Sequence, residues 1–219
     1  MDTIAAIATK GGVGKTTLLF ALGIEAAKTK SVFFCDLDPQ ASLTRLCERR
    51  DKQEGVDTSN PMLLDGVGNI QEAIAKLKRL GYARDLLFID TPGSMMGIIK
   101  TAVSVADCVI LPVQPSILDM IAQEDAADVV GEAGKDDRLL VILNRVDGRT
   151  GVEDSVERAT KRFHNRPIKI NQRVAYARGH IAGLSGAELD KECTREISAL
   201  WASIQKILEE HHHGKVAHG

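Results

Sequence analysis

The chain has 219 residues, a formal net charge of −2, 44 % hydrophobic and 26 % charged residues. These proportions exclude a disordered chain and fit an ordinary soluble globular protein long enough to bury a core. No apolar stretch approaches the roughly 18 residues of a membrane span. With Met1 two residues before the first expected strand, no room is expected for a signal peptide or an N-terminal DNA-reading domain.

Strand-like apolar runs fall near residues 3–8, 31–36, 85–90, 107–112, 138–143 and 167–170. Helix-spaced apolar residues fall near 15–29, 40–50, 69–80, 96–105, 117–133, 151–164, 174–182 and 188–210. The stretch 51–68 reads as irregular, and no internal repeat is present. Alternating strands and helices predict an α/β fold: a mostly parallel sheet covered on both faces, with ligands gathered at the carboxyl ends of the strands. One domain is expected over 1–210, with 211–219 as a disordered tail in which the run His211 to His213 is too short to argue for a metal site. Cys35, Cys47, Cys108 and Cys193 show no paired spacing, which suggests neither a disulfide framework nor a cluster, but buried thiols in a reducing cytosol.

Residues 10–17, Lys-Gly-Gly-Val-Gly-Lys-Thr-Thr, lie between the first strand and the first helix. A glycine loop in that place aims successive backbone N–H groups and the positive end of the helix dipole at one anion. Lys15 adds a cation for β- and γ-phosphates, and the Thr16 hydroxyl is placed to ligate Mg²⁺. The usual phosphate-loop string opens with glycine five residues before its Gly-Lys pair; here that position is Thr9, and Lys10 gives a second lysine at the loop mouth. Asp90 ends the apolar run Leu86 to Ile89, so its carboxylate emerges at the sheet edge, where it can hold Mg²⁺ through a water. Asp36 and Asp38 follow the second strand, and Asp38-Pro39 also fits plain turn chemistry.

The double-lysine loop resembles the deviant Walker A motif of the ParA/MinD ATPases. Three further segments agree with it: Cys-Asp-Leu-Asp-Pro-Gln-Ala-Ser at 35–42, Phe-Ile-Asp-Thr-Pro-Gly at 88–93, and Ile-Leu-Pro-Val-Gln-Pro-Ser-Ile-Leu-Asp at 110–119. The likeness is greatest to the small plasmid-partition members. It implies a single-domain P-loop NTPase that uses ATP and Mg²⁺. The loop residues Lys10, Gly11, Gly12, Val13, Gly14, Lys15, Thr16 and Thr17 would bind nucleotide, Thr17 at the α-phosphate. Thr16, Asp36 and Asp90 would hold the metal and its water shell. Asp38 would position the attacking water, and Lys10 would reach across a two-fold sandwich dimer to the partner's ATP, acting in trans with Lys15 and Asp38 in catalysis. Asn144 resembles the family's base-reading asparagine, although an asparagine also suits a strand-end turn there.

Charge is segregated. Arg158 to Ala187 contains no acid but seven Lys/Arg, leaving 21 basic against 30 acidic residues elsewhere. That is the footprint of a polyanion surface, or of a solvated face. Arg173 stands where the partition ATPases carry a DNA-contacting arginine, and Lys169 and Arg178 flank it, so sequence-independent phosphate contact with duplex DNA is expected. The last helix carries Leu189, Cys193, Ile197, Leu200, Ile204 and Ile207 as an apolar stripe, with a net acidic polar face that anionic lipid would repel. Core packing is therefore expected there, with no membrane partner. The resemblance implies a cytoplasmic, nucleoid-associated homodimer in ATP, released from DNA when a ParB-type or other adaptor stimulates hydrolysis, with the output being cargo position. The alternatives are a nucleotide-switched adaptor for a protein assembly and a MinD-like membrane-associated ATPase.

Overall fold

The computed structural model describes residues 1–82, 85–147 and 167–217. The helix expected near 151–164, with Arg158, Lys161 and Arg162, lies outside the described residues, as does Arg166. Seven strands are present among them: β1 (Asp2–Ala6), β2 (Val32–Asp36), β3 (Met62–Leu63), β4 (Leu86–Asp90), β5 (Cys108–Val113), β6 (Leu139–Val146) and β7 (Ile168–Asn171). They form one sheet in the order β3-β2-β4-β1-β5-β6-β7, with every pairing parallel. The helices are α1 (Lys15–Ala27), α2 (Ser42–Asp51), α3 (Ile70–Arg79), α4 (Met96–Val105), α5 (Ile117–Ala122), α6 (Glu124–Glu132), α7 (Val174–Ala182), α8 (Gly186–Leu189) and α9 (Lys191–Ala217).

Period-two alternation sorts each buried strand onto two cores. Ile4, Phe34, Phe88, Ile110 and Ile142 face a layer built on Leu18, Leu43, Ile197 and Trp201. Ala5, Phe33, Ile89, Val109 and Val141 face the opposite layer, built on Ile70, Ile99, Met120 and Ala126. The last helix is a core helix, as its stripe predicts: Cys193, Ile197, Leu200, Trp201, Ile204 and Leu208 are buried.

Four local features differ from the sequence expectations. The two-residue β3 lies inside the stretch read as irregular, recruited by pairing with Phe33 and Phe34 of β2. The 117–133 helix breaks at Gln123, whose buried side chain turns inward to accept from the Thr9 N–H at 2.9 Å. Leu189 is half exposed in the short α8, because Asp190 starts α9 afresh by accepting from the N–H groups of Glu192 and Cys193. The segment assigned to a tail is helical through Ala217, with His212 Nε2 2.7 Å from Asp2 and His211 Nδ1 3.2 Å from Asp107. Among the described residues no helix is long and apolar enough to cross a membrane.

Candidate functional site

β1 sits at the centre of the sheet with β4 on one side and β5 on the other, so the chain leaving its carboxyl end enters the crevice where strand order reverses. The loop there ends at Gly14, the N-cap of α1, which lies in the left-handed region at φ 102°. α1 has no side-chain cap and no acid in its first turn, whereas α3 is capped by Asn69, whose Oδ1 accepts from the Glu72 N–H at 2.9 Å. The orphan N–H groups of α1 are therefore left for an external anion. Asn144, at the end of β6, is drawn against this loop. Its Nδ2 donates to the Val13 carbonyl at 2.7 Å, and a Cβ on Gly14 would lie 2.2 Å from that nitrogen. One N–H of the amide expected from sequence to read the base therefore braces the loop through Val13. Gly93 supports the loop from the other side, where an added Cβ would come within 3.1 Å of the Lys10 backbone.

Thr16 donates its hydroxyl to Asp90 Oδ2 at 2.6 Å. Asp90 is fully buried and its other oxygen, Oδ1, has no partner among the described residues. Burial pushes the Asp90 carboxyl up to about 7, against the lowering effect of the Thr16 hydrogen bond, with the nearby Asp36 adding to the rise. Asp36 stands beside Asp90 in the β2–β4 register, and its Oδ2 accepts from the N–H and hydroxyl of Thr44 at 2.9 and 3.0 Å. An orphaned buried carboxylate oxygen beside a threonine hydroxyl is an all-oxygen donor set that suits a hard divalent cation. Lys15 is buried, and desolvation lowers its pKa while Asp90 and Asp38 oppose the fall. An anion at the loop would relieve that burial cost. The Asp38 Oδ1 accepts from the Gln40 N–H at 2.9 Å, an Asx-type turn, and Asp38 also faces the basin shared with Lys15 and Thr16. That basin is about 760 Å³, with Thr17 in its wall, and lies within the range of nucleotide-sized sites.

Lys10 does not point into the loop. Its Nζ binds Asp119 Oδ1 at 2.9 Å, and the Asp119 side chain is only 3 % exposed against 56 % for Lys10. Asp119 Oδ2 accepts from the Gln114 N–H at 2.8 Å. The Thr9 hydroxyl binds the Ala122 carbonyl, and Gln114 Nε2 donates to the Gly12 carbonyl at 3.3 Å. The segment 114–123 therefore grips the outer edge of the loop. Asp119 and Gln123 received no role from sequence, although an acid closing the 110–119 segment and a glutamine interrupting an apolar helix were the available signals.

A second hollow of about 280 Å³ opens beside Thr17, lined by Asn144, Arg145, Asn171, Tyr176 and His180. Arg145 sits at φ 59°, where β6 bulges against β7. Of the residues expected to contact DNA, Arg178 and Lys169 are exposed, but Arg173 is not available as a free cation. Its Nη2 and Nε donate to Glu196 Oε1 at 2.8 and 3.2 Å, and the Asn171 amide binds the same oxygen at 2.6 Å.

Residues 4–182 match the model of the CobQ/CobB/MinD/ParA nucleotide binding domain. The chain belongs to this family. Within the ParA/MinD group it is 29 % identical over 214 residues to maintenance of carboxysome distribution protein A of Gloeobacter kilaueensis, covering 94 % of this chain and 93 % of that one. Among solved structures it resembles MinD of the Aquifex aeolicus MinC:MinD complex, with a TM-score of 0.76 at 20 % identity over 94 % of this chain and 96 % of that one. A plasmid partition protein of Borrelia burgdorferi bound to AMPPNP gives a TM-score of 0.74 at 20 % identity, covering 95 % and 98 %. At these identities the structural likenesses speak for the fold. Membership of this family makes residues 4–182 a nucleotide-binding domain.

Proposed function

We propose that this protein is an ATP-dependent cargo-positioning ATPase that pairs over two nucleotides, binds duplex DNA without regard to sequence, and lets go when a partner stimulates hydrolysis. The observation that carries the reading is the joined set of an uncapped α1, a buried Lys15, and Thr16 hydrogen-bonded to a half-satisfied Asp90. The loop N–H groups and Lys15 would hold the triphosphate, with Thr16 and Asp90 holding Mg²⁺ and Asp36 ordering its surroundings. The cation would neutralise charge developing on the phosphoryl oxygens. Asp38, set in its turn, would orient the attacking water. Lys10 would leave Asp119 and supply a cation in trans. Relatives named for carboxysome distribution support a protein assembly as cargo over a plasmid.

A second reading, a nucleotide-switched adaptor without DNA, is favoured by one observation: Glu196 neutralises Arg173. Nucleotide binding and light scattering in Mg-ATP test the core of the proposal. Lys15→Ala should lose nucleotide binding, while Lys10→Ala should bind nucleotide and stay monomeric. Retention of an ATP dimer by Lys10→Ala would overturn the trans role.

A further inference from the structure

β6 breaks its own alternation at one residue. Leu139, Val141 and Leu143 face the layer built on Met120 and Ala126, while Leu140 and Ile142 face the layer built on Leu43 and Ile197. Continued regularly, that pattern would send Arg145 into the first of these apolar layers. Instead the ladder to β7 pairs Asn144 with Ile170 and Val146 with Asn171, which leaves Arg145 as an inserted, unpaired residue. Val146 takes the place in the apolar layer, and Arg145 is the only exposed residue of β6. Its φ of 59° is left-handed, a conformation that glycine adopts freely and that costs free energy where a Cβ is present. A bulge alone would favour glycine there, so the strained arginine directs attention to its side chain.

That side chain stands at a junction. Gly14, Thr17, Arg145 and His180 line both the basin of about 760 Å³ and the hollow of about 280 Å³, so the two meet at these four residues. Gly14 and Thr17 carry no charge, and desolvation lowers the half-buried His180 below the ordinary imidazole value, which leaves it neutral at neutral pH. Arg145 is the charged group of the junction. It has no hydrogen-bond or ion-pair partner among the described residues, whereas Arg173, the other arginine of the hollow, is held by Glu196. The remaining arginines of the basin, Arg45 and Arg49, stand on α2 and do not line the hollow.

We infer that Arg145 binds the α-phosphate of the nucleotide, where the phosphate chain held by the loop passes toward the hollow. The inference rests on the basin being the nucleotide site and adds a residue that the loop motif does not contain. The loop N–H groups and Lys15 serve the β- and γ-phosphates. Past the α-phosphate a nucleoside carries no charge, so a free guanidinium at the junction has one anionic group to meet. The same contact exists in ATP and ADP and does not change as the γ-phosphate leaves. Arg145 therefore adds binding common to the ground state and the transition state, which raises affinity without raising turnover.

Arg145→Gly separates the side chain from the backbone it strains. Free of nucleotide, this variant should melt about 2 °C above wild type, because glycine relieves the left-handed strain. Its dissociation constants for Mg-ADP and for a slowly hydrolysed Mg-ATP analogue, read by isothermal titration calorimetry, should both rise roughly tenfold. In steady-state turnover the loss should appear in KM rather than in kcat. Arg145→Lys returns a cation to the same backbone, and should recover most of the affinity but none of the melting gain. Unchanged affinity in the glycine variant, a lysine variant as weak as the glycine one, or a loss confined to kcat would overturn the α-phosphate contact. So would a lower melting temperature in Arg145→Gly, which would make Arg145 a support of the bulge. A wild type that binds neither nucleotide would overturn the basin reading itself.

Discussion

The Lys10–Asp119 contact sets a measurable threshold for pairing. At 2.9 Å it joins a buried carboxylate to a half-exposed ammonium, so solvent screening leaves about 1 kcal/mol of the charge-assisted bond. If Lys10 acts in trans, each of two subunits must break this bond, and the dimer forms against about 2 kcal/mol, or roughly thirtyfold in its dissociation constant. Asp119→Asn removes the charge yet keeps an oxygen to accept from the Gln114 N–H, which Asp119→Ala would leave unpaired. The expected result is a dimer about thirtyfold tighter in Mg²⁺ and an ATP analogue, with the gain shrinking in high salt. Sedimentation equilibrium over a concentration series measures it. An unchanged or weaker dimer would refute the idea that Asp119 restrains Lys10.

Asp38→Ala should reduce steady-state turnover to background while the ATP-bound dimer persists longer than wild type, as followed by phosphate release and light scattering. Gly14→Ala places a side chain at φ 102° and 2.2 Å from the Asn144 amide; it should cost about 3 kcal/mol, or roughly 10 °C in melting temperature, and abolish nucleotide binding. Asp90 has a folded-state pKa of about 7 against 3.8 when unfolded, so its contribution to stability is full below pH 4 and lost as pH rises through 7. In metal- and nucleotide-free protein, wild type should therefore lose stability relative to Asp90→Asn as pH rises from about 4 to about 7, and parallel melting curves across that range would count against the burial argument. Glu196→Gln frees Arg173 and should strengthen DNA binding in ATP, while Arg178→Glu should weaken it; filter binding decides both.

The central layer was legible because it is written in local chemistry. A glycine loop between a buried strand and an amphipathic helix has few other uses, and the apolar run ending at Asp90 placed that carboxylate at the sheet edge. What sequence could not supply were contacts between residues far apart in the chain. Lys10 meets an acid 109 positions away, Asn144 donates to a carbonyl 131 positions away, and Arg173 is ion-paired from the last helix. Charge counting treated Arg173 as free because Glu196 lies outside the acid-free stretch. The break at Gln123 escaped because the apolar spacing of 117–133 runs through it, whereas the bonds of Ala122 and Gln123 to Thr9 join residues far apart in the chain. The stripe from Cys193 onward was legible because packing alone fixes it.

The claim that ATP pairing creates a DNA surface is tested most directly by fluorescence anisotropy of a labelled duplex with wild-type protein in Mg²⁺ and either ATP analogue or ADP, at stepped salt. The account predicts binding in the analogue alone, indifferent to duplex sequence, with log affinity falling linearly in log salt at a slope of about −0.9 per phosphate contacted. Equal binding in ADP, or none in the analogue at low salt when sedimentation shows the dimer formed, would contradict it and leave the nucleotide-switched adaptor as the function of this chain.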